Sequence, residues 1–110
     1  MLPAAHRLRA SSDFSEVLRR GRRAGRPTLT VHLLPGEGPA RAGLVVSKAV
    51  GGSVVRHQVA RRLRHQLQPL VAGLPAGTRL VVRAAPAAAS ADSAALARDL
   101  RAALDRLVPA

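Results

Sequence analysis

The sequence predicts a single mixed α/β domain whose elements run α-β-β-α-β-α. Three observations carry that expectation. The chain has 110 residues, enough for one compact core but not for two. Short apolar or alternating runs at 28–34, 42–47 and 78–83 have the length and pattern of strands. Longer stretches between and around them place apolar residues at helical spacing. No internal repeat or boundary interrupts the pattern, so residues 1–110 read as one domain.

The first helix opens at Asp13, an expected N-cap with Glu16 three residues later in capping-box spacing. Phe14, Val17 and Leu18 form its apolar stripe, and Gly21 is its expected C-cap. RRAGRP then reads as a basic turn. Thr28–Leu34 alternates well enough for a strand, and the Pro- and Gly-dense segment 35–39 closes it. Ala42–Ser47 is apolar enough for a central strand. After Gly51 and Gly52, a helix is predicted from Ser53 to about Leu70, followed by the loop AGLPAG and a strand at Thr78–Arg83. A Pro-Ala-Ser linker leads to Ser93, the expected cap of a last helix on which Leu96, Leu100, Leu104 and Leu107 share a face.

The helix at 53–70 is the most informative element. Val55, Val59, Leu63, Leu67 and Leu70 fall on one stripe, while His57, Arg61, Arg64 and His65 fall on another face, flanked by Gln58 and Arg62. Such a helix is pinned to a core and displays cations to a polyanion. Composition agrees: 18 basic residues face 6 acidic ones, a formal charge of +12. Residues 90–110 balance three arginines against three aspartates, so the whole excess lies in residues 1–89. A preference for arginine over lysine explains 17 Arg to one Lys, but not the shortage of acids there. That density favours salt-dependent binding to a phosphate backbone.

Other classes find little support. Without cysteine there are no disulfides, zinc knuckles or thiol chemistry, which fits a cytoplasmic location. No apolar run approaches the ~20 residues of a membrane span, and the opening MLPAAHRLRASSDF lacks the apolar region of a secretory signal. Gly51 and Gly52 fit neither dinucleotide nor P-loop spacing. The carboxylates Asp13, Glu16, Glu37, Asp92, Asp99 and Asp105 suggest no acid/base or metal pair, and His6, His32, His57 and His65 have no ligand spacing. No catalytic or metal-binding residue is therefore assigned. Phe14 is the only aromatic, which excludes recognition by rows of stacking platforms and leaves guanidinium chemistry.

The segment SKAVGGSVVRHQVARRLR at 47–64 resembles the signature of the bacterial ribonuclease P protein component, in which a strand ends in lysine and a helix carries Arg-Asn-x-x-Lys-Arg-x-x-Arg. Arg56, Arg61 and Arg64 stand at the matching arginines and Lys48 at the lysine, while the opening HRL and DFSEV resemble the family's first motif. His57, Gln58 and Ala60 depart from the pattern, and Val17 stands where the family commonly has a second aromatic.

The resemblance implies a two-layer α/β sandwich like one domain of ribosomal protein S5, with a left-handed βαβ crossover through the arginine helix. It implies a protein that pairs with a large catalytic RNA, one protein per RNA, in magnesium-dependent endonucleolytic removal of the 5′ leader of precursor tRNA. The RNA would hold the magnesium ions and perform the chemistry. Lys48, Arg56, His57, Arg61, Arg62 and Arg64 would contact the catalytic RNA. Phe14, Val17 and Arg7, with the exposed sheet face, would serve the leader cleft. The alternatives are a ribosomal or ribosome-assembly RNA-binding protein and a self-sufficient nuclease.

Overall fold

The computed structural model describes residue 2 and residues 4–108. The chain folds into a four-stranded sheet and three α-helices: α1 (Ser11–Arg20), β1 (Arg22–Gly25), β2 (Leu29–Pro35), β3 (Arg41–Val45), α2 (Ser53–Val71), β4 (Thr78–Ala84) and α3 (Ser93–Leu107). Short 3₁₀ turns lie at Ala4–His6 and Pro86–Ser90.

The strand order is β1-β2-β4-β3. β2 pairs antiparallel with β1 and β4, and β3 runs parallel to β4. The α2 connection therefore links parallel neighbours, which need a long crossover because a tight turn cannot reverse the chain twice. β2 and β4 are interior strands, and their burial matches their apolar sequences, LTVHLLP and TRLVVRA.

Each face of the sheet is set by strand alternation. Leu29, Val31 and Leu33 of β2 join Leu80, Val82 and Ala84 of β4 in the main core, where they meet α2 and α3. Val59, Leu63, Leu67 and Val71 are contributed by α2, and Leu96, Leu100, Ala103, Leu104 and Leu107 by α3. The opposite face carries α1, with Val17 against Val81 and Leu8 in a smaller cluster. α1 thus adds a partial third layer to the two-layer arrangement expected.

Three local expectations are corrected. RRAGRP is not simply a turn: Arg22–Gly25 is an edge strand paired with residues 30–33, and the reversal lies at 26–29, where the Arg26 N–H donates to Leu29 O at 2.8 Å. Only Ala24 of that strand is buried, so no apolar alternation announced it. Asp13 and Glu16 form no capping box. α1 begins at Ser11 without a side-chain cap, and both carboxylates turn to Arg79 of β4, at 3.4 and 2.6 Å. The hydrogen bond and charge of Arg79 hold the Glu16 carboxyl below its ordinary pKa. Finally, α3 is capped by Asp92, whose Oδ1 accepts the Ala95 N–H at 2.8 Å, rather than by Ser93.

The loop after β2 closes around Gly77, whose φ of +85° suits glycine. Its N–H donates to Gly38 O at 2.7 Å and its carbonyl accepts the Gly36 N–H at 2.6 Å, tying the β2–β3 loop to the start of β4.

Candidate nucleic-acid interface

α2 sorts its side chains as its periodicity requires. Val59, Leu63, Leu67 and Val71 are buried, which anchors one side of the helix. His57, Gln58, Arg61, Arg64, His65 and Gln68 are exposed on the other. Among the described residues no ion pair neutralises Arg61 or Arg64. Lys48 is also exposed, in the loop between β3 and α2. The helix is anchored to the core while its outward cations have no ion-pair partners among the described residues.

Two of the arginines behave differently. Arg56 precedes Ala60 by one turn and Leu63 by two, so it stands on the inward side of the first turn; it is half-buried, and its Nε has no hydrogen-bond partner among the described residues. Arg62 is half-buried and its Nη1 donates to Ala91 O at 3.1 Å, bracing α2 against the segment before α3. Arg62 therefore also braces the fold, a role that sequence spacing alone did not separate from its neighbours.

The second candidate surface lies on the α1 face of the sheet. Phe14 is half-buried and its ring packs directly on Gly43 of β3, where any Cβ would collide with it. Val17 is fully buried, so its side chain cannot line an open cleft as expected. α1 has to bury one residue completely to dock, and Val17 is at the centre of that contact. Leu18, half-buried beside it, stands nearer the surface.

Next to Val81 on this face lies a strip the sequence reading missed. His32 is only 2% exposed, and neither ring nitrogen has a hydrogen-bond partner among the described residues. Arg23 is its cross-strand neighbour on β1, and Arg83, opposite Thr30, lies diagonally on β4; both are exposed. Burial, reinforced by Arg83 and then Arg23, pushes the His32 pKa down, so the imidazole is neutral at pH 7. The signal available was a histidine at the middle of an interior strand, on the same face as Thr30 and Leu34.

Arg7 connects the two surfaces. It bridges Ala42 in a parallel pairing that extends the β3 edge. With Leu8, Phe14, Leu44 and Arg64 it lines a cavity of about 310 Å³. The structure thus brings together Arg7, Phe14 and Arg64, residues far apart in the chain. Among the described residues no group of three or more His, Asp or Glu side chains is placed to hold a metal ion. What the arrangement offers is guanidinium and amide donors for phosphate, plus one aromatic ring.

A sequence profile of the family Ribonuclease P matches residues 2–108. The ribonuclease P protein component of Streptomyces bikiniensis is 58% identical, over 98% of this chain and 96% of its own length. That of Nocardioides sp. is 59% identical, over 97% and 95%. Among solved structures, the RNase P protein of Staphylococcus aureus superposes with a TM-score of 0.83 at 20% identity, over 93% of this chain and 94% of that one. The RNase P protein of Thermotoga maritima gives 0.75 at 21% identity, with the same coverage. At those identities the structures speak for the fold, and the sequence relatives for kinship.

Proposed function

The chain belongs to the ribonuclease P protein family, and from that premise we propose that it binds the catalytic RNA and the 5′ leader of precursor tRNA and assists removal of the leader. The observation that carries this reading is the helix α2, locked to the core by Val59, Leu63 and Leu67 while Arg61 and Arg64 face outward without ion-pair partners among the described residues. A rigid row of unneutralised guanidiniums gains from phosphate contact without first breaking an internal pair.

In this reading Arg61, Arg64, His57 and Lys48 hold the backbone of the catalytic RNA. Arg56 contributes from the half-buried first turn. The leader lies along the sheet face beside α1, where Phe14 packs on a base or sugar and Arg23 and Arg83 answer phosphate charge. A single stacked base is worth about 1–3 kcal/mol. Arg7, between the two surfaces, keeps the RNA and the leader in one register. In this reading magnesium ions, held mainly by the RNA partner, would supply electrostatic stabilisation at the scissile phosphate.

The test is reconstitution. Purified protein is mixed with a bacterial ribonuclease P RNA and a precursor tRNA at low magnesium, where the RNA alone is slow. Accelerated appearance of the mature 5′ end is the expected result. Absence of stimulation with intact, folded protein would favour a ribosomal or ribosome-assembly role. Cleavage by the protein without RNA would mean a nuclease centre in the chain itself.

A further inference from the structure

Arg7 lines a second cavity, of about 480 Å³, together with Arg9 and Arg41. Alanines at positions 4, 5 and 10 form its small-side-chain walls. All three arginines are exposed, and among the described residues none forms an ion pair. The one carboxylate in the lining, Asp13, lies 3.4 Å from Arg79 and already answers that charge.

The N-terminal segment that carries Arg7 and Arg9 is anchored. His6 Nδ1 lies 2.8 Å from Ala40 O, the Leu8 N–H donates to Ala42 O at 2.9 Å, and the Leu8 side chain is buried. Three guanidiniums are therefore held around one cavity by backbone pairing rather than by a flexible tail. Their mutual repulsion is relieved when an anion enters, and their planar donors suit phosphate oxygens.

We propose that this cavity is a phosphate-binding site for the backbone of the catalytic RNA, continuing through Arg7 the cationic track that begins at Arg61 and Arg64 on α2. The inference rests on the reading of α2 as the dock for that RNA. Continuity ties the cavity to α2: Arg7 lines both cavities, and Arg64 of α2 lines the first, beside Phe14. Position agrees. Arg41 opens β3 opposite Arg79, whereas His32 lies at mid-sheet opposite Val81 and Arg83 pairs with Val45 at the far end of β3.

The experiment measures affinity for ribonuclease P RNA alone across a salt titration, for the wild type and for Arg9→Gln/Arg41→Gln. Loss of two phosphate contacts makes the log–log slope shallower by about 1.4–1.8, with roughly tenfold weaker binding at low salt. Arg9→Lys/Arg41→Lys keeps the wild-type slope. If the glutamine pair fails to fold by circular dichroism, Ala5→Glu puts a carboxylate into the same cavity from an exposed position, and it too weakens RNA binding. An unchanged slope in a folded glutamine variant overturns the proposal. So does an effect confined to precursor tRNA binding by the assembled complex, which assigns the cavity to the substrate. A wild-type protein that does not bind the RNA at all instead sinks the reading of α2.

Discussion

α2 and α3 lie on the same face of the same sheet and bury similar stripes, yet their polar faces have opposite uses. α2 carries Arg56, Arg61, Arg62 and Arg64 with no acid along its length. α3 sets Arg98, Arg101 and Arg106 against Asp99 and Asp105, with Asp92 at its N-cap as the third acid. One of those acids is spent inside the fold: Asp99 is buried, and its Oδ2 accepts the Thr28 N–H at 3.1 Å and the Thr28 hydroxyl at 2.6 Å. Burial pushes its pKa up, but the Thr28 hydrogen bonds, with Arg98 and Arg26, outweigh this and hold the carboxyl below its ordinary value. The lesson is that an apolar stripe decides where a helix docks, while its polar face is free to serve either the fold or a ligand. α3 turns one carboxylate, Asp99, inward, and α2 keeps Arg61 and Arg64 outward.

The largest test of that comparison strikes the shared part. Leu63→Ala on α2 and Leu100→Ala on α3, both fully buried, should each cost about 2–5 kcal/mol in denaturant unfolding. A cost well under 1 kcal/mol for one of them would show that the two stripes are not equivalent.

Next comes Asp99→Ala, which strands two Thr28 donors and leaves Arg26 and Arg98 without their partner. The expected loss is about 2–3 kcal/mol of stability, with RNA affinity unchanged in the folded fraction. The pH sign follows from the lowered pKa. The carboxylate contributes stability above the unfolded-state pKa of an aspartate, and that contribution is lost as pH falls through the folded value. Unfolding midpoints followed from neutral pH into acid should show a component that Asp99→Asn removes.

On α2 the effects should move to the ligand. Arg61→Ala or Arg64→Ala leaves unfolding within about 0.5 kcal/mol of wild type. Each makes the salt slope of RNA binding shallower by about 0.7–0.9. Unchanged binding over the titration would remove the outward face from the RNA interface. Arg62→Ala sharpens the contrast with the smallest effect: loss of its bond to Ala91 O costs about 1 kcal/mol of stability, while the salt slope is nearly kept. A slope change as large as that of Arg61→Ala would return Arg62 to the RNA face.

Much of this was legible before any fold was known. The stripe Val59, Leu63, Leu67 and the outward set His57, Arg61, Arg64, His65 follow from spacing, and both hold in three dimensions. The two interior strands and α3 were likewise readable, because burial on both faces or on one stripe leaves a periodic trace. What failed had no periodic trace. β1 buries only Ala24, so its RRAG looks like a turn. Asp13 and Glu16 have capping spacing, but Arg79, more than sixty residues away, claims both. Val17 shares a helix with Phe14, and only the docking of α1 decides that one is sealed on Val81 while the other stays half-buried.

The sequence by itself thus determined the helix that displays arginines, the excess of positive charge before residue 90, and the motif that places the chain in its family. These are local or additive properties, and a linear chain carries them fully. Tertiary structure alone decided that Arg7, Phe14 and Arg64 share a cavity, that His32 lies neutral between Arg23 and Arg83, and that Asp99 is buried against Thr28. Those facts depend on strand register and on which faces meet. Register is fixed by packing across the sheet, where contacts join residues that no local pattern relates.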